Sequence, residues 1–417
     1  MPVDPGDGRA SARRVRRPPH AIVYLLLIVP FGAMGGYLSV ALGYQLTQAG
    51  VGVEDVAALI AFSLVPHTWK FVWAPVADTT LSRKRWYLMA SLVSCVGIFL
   101  SGAIPPVASS MLLLYAIVFV SNLGATFLAM ATEGLMVHNA APAQHGRVGG
   151  WYQAGNLGGS GLGGGAGLWL GQNLPATWMA SALLAVACAL CALALVFVAE
   201  PPPMQKAPRY GRTLAAVVAD LWRVARARAG FLALLICFLP IGTGAASNLW
   251  SAVADDWHAS ADTVALVTGV LAGLVSAFGC IVGGYGSDRI DRKSSYALYG
   301  LLMVIGAVAM AFAPRTEAMY IVFTLIYAFI QGLTYAAFTA VVLETIGLGA
   351  AATKYNVFAS LSNMPIAYMT VVNGWAHSRW GATGMLLTEA AIGIVGIVVF
   401  IAVAMALPQR QYSKGSA

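Results

Sequence analysis

Four ionisable side chains stand inside stretches otherwise suited to hydrocarbon: Lys70, Glu133, Glu344 and Glu389. An ammonium or carboxylate in that medium costs several kcal/mol unless it is paired or reached by water, so such residues mark function by default. Two readings fit Lys70: a cation that meets an anionic substrate in a central cavity, or one half of an ion pair with Glu133. Two readings also fit Glu133 and Glu344, 211 positions apart: structural latches for Arg83 and Arg292, or carboxyls that carry protons. His67 lies one helical turn from Lys70 and can bond a substrate or titrate near neutral pH, or serve as a satisfied structural histidine beside Pro66. Glu389 falls near one end of the last apolar run, where packing or snorkelling accounts for it.

A second set is neutral: Asn122, Gln153, Asn156, Gln331, Tyr335, Asn356 and Asn363. Amides and a phenol suit a sugar, peptide or amide-rich ligand better than a lipophilic cation, and each also suits an interhelical hydrogen bond. No pair of groups has the spacing of a catalytic dyad or triad, and no nucleotide-binding motif occurs. Cys95, Cys188, Cys191, Cys237 and Cys280 form no metal-ligand array. The expectation is a protein that is not an enzyme and uses no cofactor or metal.

The elements that must position these residues are membrane helices. Of 417 residues 59% are hydrophobic and 10% charged, against roughly a quarter charged in a soluble domain. The apolar residues come in blocks of about twenty, the length an α-helix needs to cross about 30 Å of hydrocarbon. The blocks predict twelve spans, at 22–43, 56–77, 86–104, 111–137, 149–171, 178–199, 231–254, 263–286, 296–313, 318–346, 355–375 and 383–407. The fold class is therefore an all-α membrane protein of twelve helices.

The net charge of +8 would point to nucleic acid in a soluble chain, but here the cations alternate with topology. Arg9 to Arg17, Arg83 to Arg85, Arg147, Lys206 to Arg228, Arg289 to Lys293, Lys354, Arg410 and Lys414 all fall on one side; only Arg315 and Arg379 fall on the other. By the positive-inside rule both termini are cytoplasmic, and no nucleic-acid partner is expected. The basic start could imitate a signal peptide, yet the apolar run after it is too long, so it reads as the first span.

Residues 200–229, opening with Glu200 and Pro201 to Pro203, break the pattern as a cytoplasmic linker with an interfacial helix. The expected organisation is a basic tail over 1–20, a six-helix bundle over 21–199, the linker over 200–229, a second bundle over 230–408 and a tail over 409–417. The halves repeat: Asp78 after the second span matches Asp288 after the eighth at an offset of 210, and Asn122 roughly matches Gln331. A duplicated unit with its axis along the membrane normal places the transport path between the halves. In the fifth span Gly155, Gly159, Gly163, Gly167 and Gly171 recur every four residues, giving a smooth face for close packing or sliding.

The segment Gly283, Gly284, Tyr285, Gly286, Ser287, Asp288, Arg289, Ile290, Asp291, Arg292, Lys293 resembles the loop signature of the major facilitator superfamily. In the first half Asp78 is followed by Arg83, Lys84 and Arg85, while Trp73, Ala74 and Pro75 replace the family's glycines, a departure. The run from Leu64 to Trp86, with Pro66, Lys70, Trp73-Ala74-Pro75 and Asp78, resembles the second helix of AmpG-type muropeptide permeases and acetyl-CoA transporters. Ala351 to Tyr355 with Ser360 to Asn363 resembles the same group's entry into the eleventh helix.

The resemblance implies two pseudo-symmetric six-helix bundles, a cavity lined by helices 4, 5, 10 and 11, and a cytoplasmic latch of Asp78, Arg83, Asp288 and Arg292. It also implies a monomeric, multi-pass inner-membrane permease whose partners are a small solute, protons and lipid. The expected function is proton-coupled secondary transport of a polar organic solute, muropeptides first, siderophores or acyl-CoA as related cases. Two other readings stand beside it: a proton-coupled multidrug efflux antiporter, from which the missing proline of the fifth-helix glycine stripe leads away, and a signalling or scaffold protein that has kept the fold without transport.

Overall fold

The structure is a computed structural model that describes residues 19–20, 22–139, 145–200, 228–346, 357–358 and 360–406, with isolated positions between 215 and 226. The described residues form helices joined by turns, bends and short irregular stretches, with no strand among them. In lipid a helix satisfies its own backbone donors and acceptors, which is why an apolar chain of this composition adopts nothing else.

Among the described residues eight helices are long and apolar enough to cross a membrane. They are α1 (Ile22–Gln48), α3 (Arg83–Ala103), α4 (Met111–Asn139), α6 (Thr177–Phe197), α8 (Ala261–Arg289), α9 (Arg292–Phe312), α10 (Glu317–Ile346) and α11 (Asn363–Ala406). Three further elements correspond to expected spans but are broken or polar. α2 consists of Val53–Ser63, Val65–Thr68 and Lys70–Thr79; α5 runs from His145–Gly161 through Leu162–Ala166 to Gly167–Asn173; α7 is only Arg228–Phe238. α11 holds the eleventh and twelfth expected spans in one run, divided at Gly381, whose φ of 63° only glycine adopts freely.

The seventh span departs most from expectation. A continuous helix over 231–254 is replaced by α7 and two tight 3-10 turns, Ala245–Leu249 and Ala254–Trp257. The cause is local: Pro240 removes a backbone donor, and Gly242 and Gly244 take φ of 60° and 59°. Wide π turns interrupt α1 at Tyr37–Leu42, α5 at Leu162–Ala166 and α8 at Val264–Leu271, and these three segments touch one another.

Glycine sets the closest helix contacts. The α5 stripe lies on α1, where a Cβ at Gly155, Gly159 or Gly163 would collide with the carbonyl oxygens of Leu25, Val29 and Ala33. Gly279 and Gly283 of α8 meet Phe329 and Leu333 of α10 in the same way. Between the two halves of the chain, Gly165 of α5 lies on Ala265 and Gly269 of α8, and Gly374 of α11 lies on Ala57 of α2.

The apolar core is single at one end and divided at the other. One cluster joins Tyr37, Leu42 and Ile60 to Trp250, Trp257, Tyr320 and Met385 across both halves. At the end where the chain starts, Tyr24, Tyr87 and Leu128 form one cluster, while Ile236, Tyr296 and Val341 form a separate one. Large apolar side chains such as Leu112 and Met405, 83% and 78% exposed, point outward, as a lipid-facing surface requires.

Candidate functional site

Helix α2 breaks where its polar residues gather. Pro66 stands in the short piece Val65–Thr68, and Trp69 leaves helical geometry with φ −95° and ψ 20°. Lys70 opens the next piece and turns toward α4. Its Nζ lies 2.7 Å from Oε1 and 2.6 Å from Oε2 of Glu133, and the Tyr152 hydroxyl of α5 donates to Oε1 at 3.0 Å. Both oxygens thus hold a charge-assisted bond, which is what allows two ions to sit at this depth. The side chains are 18% and 24% exposed, so the pair is not sealed in the core.

One turn further along, His67 bridges to the same helix. Its Nε2 lies 3.2 Å from Asn122 Oδ1 and its Nδ1 2.8 Å from Thr126 Oγ1. The Asn122 amide donates to the Val118 carbonyl, which leaves Oδ1 as acceptor and assigns the proton on Nε2. Thr126 Oγ1 also lies 2.9 Å from the Asn122 carbonyl. Its one hydrogen can turn to that carbonyl or to Nδ1. The edge of Phe31 closes the ring's other side at 5.0 Å.

Of the residues expected from the sequence, the fold brings His67 to Asn122 and Lys70 to Glu133, two polar pairs between α2 and α4. Gln153 and Asn156 are near each other on α5, 3.4 Å apart, and outside both pairs. Gln331 of α10 faces the break after α7, close to Gly244, and Tyr335 is half exposed. Asn363 donates to the Ser360 carbonyl at the start of α11. Arg83 crosses α4 against Gly134, next to Glu133 in sequence. Glu344, Asp78 and Asp288 sit in helices with their side chains outside the described residues, and Asn356 lies outside them altogether; Arg292 begins α9.

The sequence reading missed two participants in these bonds. Thr126 and Tyr152 carried no signal beyond lying four residues from Asn122 and beside Gln153. Glu389, read as a packing or snorkelling residue, is buried at 5% exposure and bonded to Ala246 and to Asn373 of the first arm of α11.

The two cations on the minority side of the charge pattern are held by aromatic faces. Arg315 stacks on Trp257 at 4.2 Å and donates to Thr383 Oγ1 at 2.7 Å; Arg379 stacks on Trp375 at 4.4 Å. At the same end, Gln48 of α1 donates to Asp255 at 2.8 Å, and Asp256 pairs with His377 of α11 at 2.6 Å. The Ser251 hydroxyl donates to the Ser39 carbonyl. Adjacent carboxylates thus tie the loop after α7 to both halves.

The described residues thus form a many-helix bundle with a lipid-facing surface, a core shared at one end, and a Lys–Glu pair between its helices. The family model of the Major Facilitator Superfamily matches residues 20–368, and the chain belongs to that superfamily of secondary transporters. The fold is similar to that of a bacterial homologue of the human lysosomal transporter Spinster, in an inward-facing and unoccupied conformation, with a TM-score of 0.73 at 14% identity over 92% of this chain and 96% of that one. It is also similar to a POT family transporter in complex with a thioalcohol-conjugated peptide, with a TM-score of 0.71 at 10% identity over 92% and 95%. A D-xylose-proton symporter gives 0.68 at 14% over 93% and 97%. No curated protein is similar enough to be matched.

Proposed function

We propose that the chain is a proton-coupled importer of a polar, anionic organic solute of muropeptide type, working by alternating access between two six-helix bundles. In this reading α1 to α6 form the first bundle and α7 to α11 the second, with the two arms of α11 as its last two helices and residues 200–229 as the linker. Both termini lie in the cytoplasm of a bacterial-type cell, beside the basic turns of Arg83 to Arg85 and Arg289 to Lys293. The shared core at the opposite end supports a state closed to the outside and parted toward the inside, the conformation named for the Spinster homologue.

The observation that carries the proposal is the Lys70–Glu133 pair. Lys70 holds both oxygens of one carboxylate in a place where neither ion is stable alone. An incoming anionic group competes for the same ammonium. When it takes Lys70, Glu133 loses its counter-charge and is stabilised by binding a proton, so solute and proton load together. Release of the solute inside returns Lys70 to Glu133 and expels the proton. His67 and Asn122, one turn away, supply neutral donors and acceptors of the kind that sugars and amides need. The subfamily resemblance around Lys70 and Asp78, and the peptide and sugar ligands named for two of the similar structures, support the substrate class.

The test is uptake of a labelled disaccharide–peptide by proteoliposomes under an imposed proton gradient. Accumulation above the equilibrated level, abolished by an uncoupler, is the expected result. Transport indifferent to the gradient rejects proton coupling, and transport of dyes but not of the disaccharide–peptide rejects the substrate class in favour of efflux.

A further inference from the structure

The second arm of α11 carries a carboxyl that the mechanism above does not use. Glu389 lies seven residues from Ala382, roughly 10 Å along the helix from the closed end. Its Oε2 accepts from the backbone N–H of Ala246 at 3.0 Å and from Nδ2 of Asn373 at 3.1 Å. Its Oε1 has no partner among the described residues, and neither has Oδ1 of Asn373, whose side chain is fully buried.

Two acceptor atoms on two side chains already joined by a hydrogen bond therefore lack a donor. Both are at least nine-tenths buried, where an unmet polar atom costs about 1–3 kcal/mol. One proton on Oε1 is a donor that would meet both needs. No basic side chain among the described residues pairs with Glu389.

The surroundings fix what else can titrate there. From α10 comes the phenol of Tyr327, itself without a hydrogen-bond partner and in edge contact with Trp250 at 5.0 Å. The turn Ala245–Leu249 offers no titratable group, nor does α9 between Gly300 and Ala311. On the first arm of α11 the nearest is His377, one turn past Asn373 and engaged with Asp256. From α2, Glu54 lies against Gly374 but is exposed, so Glu389 is the one buried carboxyl in this part of the core among the described residues.

What it holds matters. Ala246 begins the broken segment that runs through Ser251, bonded to Ser39, to Asp255, bonded to Gln48, so the same stretch of chain closes the seam between the halves. Protonated, Glu389 still accepts from Ala246 on Oε2 and gives Oδ1 of Asn373 a donor; ionised, it is a buried charge that water relieves only when the segment lifts away.

We propose that Glu389 is a second proton-binding site, distinct from Glu133, and that proton binding there holds residues 245–257 on α11, so that loss of the proton favours opening of the closed seam. The inference borrows from the transport reading only the idea that this seam opens. Its test does not depend on transport.

Infrared difference spectra of the purified wild-type protein across a pH titration report carboxylic acid C=O bands. Hydrogen exchange of residues 245–257 over the same range reports the grip on the segment. The wild type is expected to show a titrating band that Glu389→Gln removes and Glu133→Gln leaves in place, and protection of 245–257, corrected for the intrinsic pH dependence of exchange, is expected to rise as the band appears. In Glu389→Gln, whose neutral amide can donate to Asn373 as the acid does, that protection is expected to be high and independent of pH. If Glu389→Gln does not fold, Asn373→Leu, which keeps the carboxyl and removes its partner, is expected to displace the midpoint of the band. A spectrum in which neither variant alters any titrating band overturns the proposal, as does protection of 245–257 that follows sodium concentration instead of pH.

Discussion

Lys70 and Glu133, 63 positions apart in sequence, meet as a two-pronged ion pair, with Nζ 2.6 and 2.7 Å from the two carboxylate oxygens. The pair ties the broken middle of α2 to α4. Because each ion is stabilised mainly by the other, removing one is expected to do more harm than replacing both. Lys70→Met is expected to lower stability by about 1–3 kcal/mol, reduced from the fully buried case by the pair's partial exposure, and Lys70→Met with Glu133→Leu is expected to recover most of it. Thermal unfolding in detergent of the two single variants and the double variant measures this. A double variant less stable than both singles would refute the pairing.

The glycines of α1 and α5 make a sharper comparison, because neighbours in sequence differ in what a methyl group would meet. At Gly36 and Gly159 a Cβ would overlap backbone of the facing helix, whereas at Gly35 and Gly158 it would meet nothing within 4 Å. Gly36→Ala and Gly159→Ala are expected to cost about 1–3 kcal/mol through overpacking, and Gly35→Ala and Gly158→Ala are expected to be silent. Fluorescence-detected size exclusion after heating separates the two groups.

Helix α3 begins with Arg83, Lys84 and Arg85, the wrong charge for a helix N-terminus. Glu200 compensates from the end of α6: its carboxylate accepts from the Arg83 N–H at 2.8 Å and the Lys84 N–H at 3.1 Å, while Ser82 caps Arg85. Asp291 caps α9 at the matching place in the second half. Glu200→Ala is expected to destabilise by about 0.5–2 kcal/mol and Glu200→Gln by less, measured as a shift in unfolding temperature.

The seam at the closed end is open to a chemical test. Gln48 and Asp255 come from different halves and bond at 2.8 Å. With the five native cysteines replaced, Gln48→Cys with Asp255→Cys is expected to be joined by a short bifunctional thiol reagent, and the joined protein is expected to lose uptake until the link is reduced. Full uptake by the linked protein would mean that this seam does not open in the cycle.

How much of this was legible in the sequence depended on whether the cause was local. Blocks of apolar residues and the glycine stripe act through composition and short spacing, and eight helices long and apolar enough to cross a membrane are present among the described residues. The break after α7 also had local causes, Pro240, Gly242 and Gly244, but the surrounding apolar run outweighed them in reading 231–254 as one helix. The Lys70–Glu133 pair was one of two open readings, since nothing in the sequence decides which face of α2 meets α4. The partners of Glu389 were hidden for the same reason at longer range: Ala246, more than 140 residues away, reaches it only because the chain after α7 folds back.

The most direct measurement is simultaneous recording of proton and solute entry into proteoliposomes carrying wild-type protein or Glu133→Gln, with a trapped pH dye and a labelled disaccharide–peptide. The account predicts that the wild type carries protons inward with the solute, and that Glu133→Gln still exchanges solute across the membrane but moves no protons and builds no gradient-driven accumulation. Undiminished proton-driven accumulation by Glu133→Gln would contradict it.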